Sequence, residues 1–417
     1  MASLRSMLTT MVVVLPAFWT MGQLARWWTP PLVAVIMAVM LGLSLPRTLD
    51  AMAGADRLWA SVALVLAVVV ASLASIGLAA GGWWRVIGGL GFAVLAGMTT
   101  WVRRFHGPWK AIGLIIGVAL IAALVSPMSA SISWKLVLWL IVAALCALAW
   151  ALAMSWLAGG TPTDTPETSQ AETNHRMTSS TKMAIQGAAA IAVAAGAAQL
   201  VDQRHLVWPI LTAFIVLNNN RGRGDVLLKG TQRLVGALIG TAVATLLVGL
   251  WPAGDARSVI VIFVLIAVAS ALRPFGYVYW AACVTAGLAF LYSFLGQGGI
   301  DLLARRLLGI LIGGVIAIAI TWVLLPVKTT DVVRLRIGAV RRASAILAAQ
   351  GDGPKPAQIA ALREAVHQLS AMLPTVRAAR VLGVGPARAL APIVDETLAL
   401  ASGALEPASA NNLTPDP

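Results

Sequence analysis

The sequence predicts an all-α integral membrane protein of about twelve transmembrane helices, followed by a small helical tail. Hydrophobic residues make up 59% of the chain and charged residues 11%, and the mean hydropathy is +0.87. Soluble domains average about 25% charged residues, so lipid is the expected solvent for most of the chain. An eight-residue phrase that occurs twice indicates a duplicated group of helices.

Twelve apolar segments are the predicted spans, because a helix needs roughly 20 apolar residues to cross a bilayer. The eighth segment is short and is the weakest of the set. The segments are 7–25, 29–46, 58–80, 86–102, 110–127, 135–157, 184–201, 206–219, 232–251, 258–272, 277–295 and 307–325.

The basic residues predict the orientation of these spans. They concentrate in alternate loops and in the tail, so the positive-inside rule places both termini in the cytoplasm. The net charge of +14 is accounted for in this way. No soluble basic face is predicted, so nucleic acid is not an expected partner. The first segment lacks a small-x-small cleavage site and is expected to remain as a span.

A polar segment rich in threonine and proline, 159–183, divides the chain and is predicted to be a flexible cytoplasmic linker. It separates an N-terminal six-helix half from a C-terminal one, and a cytoplasmic tail follows. Helical periodicity in the tail predicts helices at 331–350, 356–382 and 386–404. The predicted domains are 1–158, 184–326 and 327–406, with 407–417 disordered.

The repeated phrase reads RLVGALIG at 233–240 and RLLGILIG at 306–313, so six of eight residues are identical. Thr212 and Thr285 share the same offset of 73 residues. The copies open the ninth and the twelfth predicted spans, so they are three spans apart. An odd offset means that the two helices cross the membrane in opposite directions. We therefore predict a three-plus-three inverted repeat, with Arg233 at the inner entrance and Arg306 at the outer one.

The two halves contain the same number of spans and are expected to run in the same direction. Arg57 opens the third span as Arg233 opens the ninth, and Lys135 opens the sixth as Arg306 opens the twelfth. The N-terminal half lacks the glycines of the phrase, so it is interpreted as a degenerate copy.

The candidate site is an anion pathway lined by cations. Arg221, Arg223 and Arg273 lie on the same predicted side as Arg233, where they would form an electropositive vestibule for organic anions. Guanidinium groups suit bidentate carboxylate binding. For Arg221 and Arg223, topology signalling and lipid contact are the alternative.

Neutral groups complete the predicted pathway. Thr212 and Thr285 would supply hydrogen bonds nearer the midplane. Trp208, close to the first threonine, is interpreted as an interfacial tryptophan or as a residue that stacks on an aromatic substrate. The glycines of the phrase, with the spacing of helix-packing motifs, are Gly236, Gly240, Gly309 and Gly313.

Several function classes are not expected. The glycine-rich stretches lack Walker A spacing, no nucleophile motif appears, and the histidines and the two cysteines have no metal-ligand spacing. We therefore predict no enzyme activity, no cofactor and no metal. No carboxylate falls at the middle of a predicted span, which weakens a proton antiport mechanism. The arginines near the start of the tail predict contact with anionic lipid, or alternatively a regulatory or oligomerisation role.

Residues 208–217, WPILTAFIVL, followed by Arg221 and by QRLVGALIG at 232–240, resemble the fusaric acid resistance protein-like (FUSC) family. The resemblance covers about 183–326 and is weak over 7–157. That family is grouped with the aromatic acid exporters and is distantly similar to plant aluminium-activated malate transporters. Longer exporters carry a large cytoplasmic domain between their halves, whereas this chain has only the linker.

The resemblance implies a bacterial inner-membrane exporter of aromatic or other organic acids. Several relatives work with a periplasmic adaptor and an outer-membrane channel, so an adaptor is an implied partner beside the lipid bilayer. Two other hypotheses stay open: an anion channel like the malate transporters, and a membrane scaffold that binds a partner through its tail.

Overall fold

The protein is all-α in the computed structural model, as predicted. The structure describes residues 2–28, 31–50, 54–105, 108–126, 134–157, 178–201, 207–218, 220–247, 250–297, 299–349, 356–381 and 389–410. The chain divides into two compact units. One contains most of residues 1–219 and 229–324, and the other contains 220–228 and the chain from 325 onward.

Every predicted span coincides with a helix that lies wholly or, for α9, mostly in the first unit. These helices are α1 (Ala2–Trp27), α2 (Leu32–Asp50), α3 (Gly54–Ala80), α4 (Gly82–Trp101), α5 (Pro108–Val125), α6 (Trp134–Leu157), α7 (Ser179–Val201), α8 (Val207–Leu217), α9 (Arg223–Leu247), α10 (Ala256–Leu272), α11 (Tyr277–Phe294) and α12 (Ile300–Val323). Within the described residues, nine of them are long and apolar enough to cross a membrane.

The remaining three, α2, α5 and α8, contain shorter apolar stretches. Helix α8 has 11 residues and is therefore about 17 Å long at 1.5 Å per residue. A bilayer core is about 30 Å thick, so α8 is too short to span it alone.

The membrane unit is held together by pairs of neighbouring helices. Helix α2 packs against α6, α3 against α5, α4 against α7, and α10 against α11. Large apolar side chains cover its outer surface, among them Leu200, Leu246 and Val323. This apolar exterior fits lipid and not water as the surrounding solvent.

Two predicted boundaries differ from the structure near α7 and α9. Helix α7 begins at Ser179, inside the predicted linker, and the hydroxyl of Thr178 accepts a hydrogen bond from the Thr181 amide as an N-cap (3.4 Å). Most of the linker lies outside the described residues. Helix α9 begins at Arg223 and not at 232, so Arg233 lies inside the helix and not at its mouth.

The second unit is a helical bundle. Its helices are α13 (Thr329–Ala348), α14 (Pro356–Ser370), α15 (Leu373–Val381) and α16 (Ala391–Ala410). They share one apolar core that includes Val333, Val340, Leu362 and Val394.

The bundle departs from the sequence prediction at two points. The single helix predicted at 356–382 is broken at Ala371 and Met372. Pro374 explains the break, because proline lacks an amide proton and fits the first turn of a new helix. Helix α16 continues to Ala410, past the predicted boundary at 406.

Candidate functional site

The first copy of the phrase packs α9 closely against α11. A Cβ atom built on Gly236 would lie 2.6 Å from the Cβ of Ala281, and one on Gly240 would lie 2.9 Å from the Cβ of Thr285. The Gly240 position also meets the carbonyl oxygen of Ala282. Contacts this short leave no room for a side chain, so both glycines are required by helix packing.

The second copy packs α12 against α8 in the same way. A Cβ on Gly309 would lie 2.6 Å from the Cβ of Trp208, and one on Gly313 would lie 2.9 Å from the Cβ of Thr212. The Gly313 position also meets the carbonyl oxygen of Pro209. Each partner is offset by 73 residues from the partner of the equivalent glycine, so the sequence repeat is also a repeat of contacts.

The copies exchange partners. Helix α9, which carries the first phrase, packs against α11, which carries Thr285 of the later copy. Helix α12, which carries the second phrase, packs against α8, which carries Thr212 of the earlier copy. The two repeat units, α8–α9 and α11–α12, therefore interlock, and both threonines lie at the contacts between these units.

Arg306 is a fully enclosed cation beside these contacts. Its side chain is 1% exposed, and its Nη1 donates to the carbonyl oxygen of Thr285 at 2.9 Å. Its Cζ lies 4.6 Å from the centroid of the Trp208 ring, a cation–π distance. Among the described residues, its Nε and Nη2 have no hydrogen-bond partner.

Arg233 is also buried, with 2% of its side chain exposed. It lies ten residues after the start of α9, which is about 15 Å along the helix. Its Nε likewise finds no partner in the described part of the chain. Arg233 and Arg306 are near enough to interact electrostatically. The structure therefore brings together two arginines that the sequence placed at opposite entrances.

The two predicted threonines are buried, at 1% exposure for Thr212 and 0% for Thr285. Threonine hydroxyls in helices commonly bond to a carbonyl one turn earlier, as Thr321 does to Ala317 (3.1 Å). The hydroxyls of Thr212 and Thr285 make no such bond within the described residues. Buried polar groups without partners are costly, so these two hydroxyls are candidate donors at the interlocked contacts.

The N-terminal counterparts do not join this cluster in any described contact. Arg57 is half-buried and its Nη1 lies 3.5 Å from the hydroxyl of Ser155. Lys135 is exposed, with its Nζ 6.0 Å from the centroid of the Trp134 ring. The interpretation of this half as a degenerate copy stays a prediction.

The remaining predicted cations have other surroundings. Arg273, in the turn after α10, stacks on Trp280 with its Cζ 4.9 Å from the ring centroid. Arg221 and Arg223 belong to the C-terminal bundle: Arg221 donates to the carbonyl of Ala371 (2.8 Å), and the Arg223 amide donates to that of Val327 (3.1 Å). The predicted vestibule is thus divided between the two units.

The same bundle segment contains a buried carboxylate that sequence reasoning missed. Asp225, 6% exposed, accepts from the Arg221 amide (3.1 Å) and from the Thr375 hydroxyl (3.3 Å). Nearby, Arg336 bonds to Gln368. Burial lowers the pKa of Arg336, the charge of Arg221 lowers it further, and Glu364 opposes the change.

Two tyrosines near the arginines were also missed. Tyr292 packs edge-on against Trp208 at 5.6 Å between ring centroids and interacts electrostatically with Arg306. Tyr277 interacts electrostatically with Arg233. No motif in the sequence indicated either residue, because both contacts join helices that are distant in the chain.

The arginines, both threonines, Trp208 and Tyr292 fall in one stretch that matches a known family. The family model described as fusaric acid resistance protein-like matches residues 191–320. These residues form a FUSC-like domain. The match confirms the resemblance seen in the sequence and runs from within α7 to within α12. No curated protein and no solved structure matches the chain.

The FUSC-like domain gives the site its setting. With the candidate spans, it makes the protein a multi-pass membrane protein that contains a FUSC-like domain. The site lies wholly within this domain, whereas Arg57 and Lys135 lie outside it.

Proposed function

We propose that the protein is a secondary exporter of organic acid anions, aromatic acids foremost. The observation that carries the proposal is Arg306, enclosed in the FUSC-like domain with two donors that have no partner among the described residues. An isolated buried charge is strongly unfavourable unless it is paired. A carboxylate that enters the site would supply the missing charge and accept the free hydrogen bonds.

The balance of buried charge supports an anion as the cargo. Arg233 and Arg306 are both buried, and none of the described aspartates or glutamates of the membrane unit is. A proton relay would require such a carboxylate. The membrane potential can serve as the driving force instead, because expulsion of an anion from a negative interior releases about 2.3 kcal/mol per charge per 100 mV.

The proposal includes an architecture. We infer two six-helix halves that run in the same direction, 1–158 and 184–326, each a three-plus-three inverted repeat. The contacts of Gly240 and Gly313, equivalent at an offset of 73 residues, support the repeat in the second half. In the proposed setting, the bacterial inner membrane, both termini face the cytoplasm, and a periplasmic adaptor is a candidate partner.

The first test is efflux from proteoliposomes that contain the full chain and radiolabelled benzoate, with an imposed potential. Arg306→Ala and Arg233→Ala are expected to abolish efflux while the protein still inserts and accumulates. Arg305→Ala is the matched control, since Arg305 is the exposed neighbour of Arg306, and it should transport normally. Normal efflux in both site variants would contradict the assignment.

Two further measurements separate the other hypotheses. Large unitary currents under voltage clamp would indicate an anion channel, whereas slow saturable flux indicates a carrier. A deletion strain that tolerates a panel of aromatic and short-chain acids as well as its parent, with the same phenotype after removal of the tail alone, would favour a scaffold.

A further inference from the structure

The guanidinium of Arg306 has two contacts that leave only one edge for a ligand. Nη1 is occupied by the carbonyl of Thr285 at 2.9 Å. One face lies on the Trp208 ring, with Cζ 4.6 Å from its centroid. The Nε–Nη2 edge is the part that has no partner among the described residues.

The Nε–Nη2 edge has a specific chemistry. Its two N–H bonds are parallel and match the two oxygen atoms of a planar carboxylate. A halide offers one acceptor and cannot use both donors in this way, and a neutral amide offers one carbonyl oxygen without charge. Ligand selection at this edge therefore depends on a planar anion with two oxygen atoms.

Trp208 keeps that edge in position. The ring is 4% exposed, is packed edge-on by Tyr292, and lies against Gly309 of α12 through its Cβ. A ring with so little freedom limits where the guanidinium can lie, and the carbonyl of Thr285 holds its Nη1 end. The equivalent of Trp208 beside Arg233, at the offset of 73, is Ala281, so Arg233 has no such ring at that position.

We infer that the Nε–Nη2 edge of Arg306 is a bidentate carboxylate fork and that Trp208 is the positioning residue that aims it. The inference rests on the proposed transport function and names the chemistry by which the same site recognises its cargo. In this inference Trp208 acts through the arginine that covers one of its ring faces, whereas stacking on an aromatic substrate stays a prediction.

The test measures binding and transport separately on the full chain. Binding is the shift in melting temperature with acetate, benzoate or phthalate, with benzamide and chloride as matched non-carboxylate probes. Transport is the saturable efflux of benzoate from proteoliposomes. Arg306→Lys keeps the charge and loses the fork, and it should raise the half-saturation concentration about 10- to 100-fold.

Trp208 is tested by Trp208→Leu and by the conservative Trp208→Phe. Trp208→Leu should raise the half-saturation concentration about tenfold with an unchanged maximal rate, and Trp208→Phe should restore part of the loss. Trp280→Phe is the matched control, because Trp280 stacks on Arg273 at 4.9 Å, and it should leave the half-saturation concentration unchanged.

The outcomes distinguish the fork from the transport function. If wild type binds a carboxylate but exports none, the transport proposal fails and the fork survives. If Arg306→Lys binds and exports benzoate like wild type, or if no carboxylate probe shifts the melting temperature, the fork is overturned. If Trp208→Leu lowers only the maximal rate or the stability, Trp208 is structural and does not position the arginine.

Discussion

The two copies of the repeated phrase have the same packing but different surroundings at their arginines. In both, the second glycine meets a backbone carbonyl and a threonine Cβ of the exchanged partner helix. The first glycine meets Trp208 in one copy and Ala281 in the other. The position of the Trp208 ring, which covers Arg306, is therefore occupied by the methyl group of Ala281 in the other copy.

This difference separates the residues that helix packing requires in both copies from a side chain whose surroundings are specific to one copy. The glycines are equivalent because both helix pairs require close approach. The arginines are not: within the described residues, Arg306 is held by a ring and a carbonyl at once, and no such pair of contacts is described for Arg233. The duplicated phrase thus contains glycines with the same packing role in both copies and an arginine whose contacts differ between the copies.

The largest effect is expected when the shared element is disturbed. Gly240→Ala and Gly313→Ala each insert a Cβ against a carbonyl oxygen, and such overpacking costs about 1–3 kcal/mol. Thermal unfolding in detergent should show similar losses for the two variants. A loss confined to one of them would break the structural equivalence of the copies.

Gly314→Ala is the control for these substitutions. It lies beside Gly313 on the same helix, but a Cβ there has nothing within 4 Å. Alanine favours helix over glycine by about 1 kcal/mol, so this variant should be as stable as wild type or slightly more stable.

An effect of intermediate size is expected from Arg221→Ala, which compares two arginines that have similar hydrogen bonds but different proposed roles. Arg221 and Arg306 each donate to a backbone carbonyl, at 2.8 Å and 2.9 Å. Arg221→Ala should destabilise the C-terminal bundle by about 1 kcal/mol, since its side chain is part-exposed, and should leave benzoate binding unchanged. Weaker benzoate binding in this variant would show that Arg221 belongs to the anion pathway, as the sequence hypothesis states.

The smallest effect is expected from removal of the threonine hydroxyls. Thr212→Val and Thr285→Val replace a buried group that has no partner among the described residues with an apolar one of similar shape. Stability should be unchanged or rise by about 1 kcal/mol, whereas benzoate affinity should fall. Destabilisation by valine would show that the hydroxyls have structural partners instead of serving a ligand.

The sequence predicted the helices well because apolar length alone decides which segments enter lipid. It misplaced the start of α9 because Arg223, Asp225 and Lys229 look like loop residues. In the structure Asp225 bonds to Thr375 of the bundle, and this distant partner makes a buried acidic residue tolerable in a helix. No local pattern contains that information.

The residues of the repeat could be paired from the sequence, but their arrangement could not. The offset of 73 identified Arg233, Arg306, Thr212 and Thr285 as equivalent pairs, but a repeat does not state which copy packs against which. The exchange of partners depends on close approach at Gly240 and Gly313. It also brings Arg306 onto Trp208, a contact between residues about 100 positions apart in the chain.

The exchange has a consequence for biogenesis. Helix α8 is too short to cross the bilayer alone, and the glycine face that packs on it belongs to α12, which begins at Ile300. At synthesis rates of about 5–20 residues per second, α8 waits roughly 4 to 17 s for that face to emerge from the ribosome. During this interval α8 has only its earlier partners, α5 and α7, to pack against, so the contacts around Gly309 and Gly313 are among the last to form in the domain.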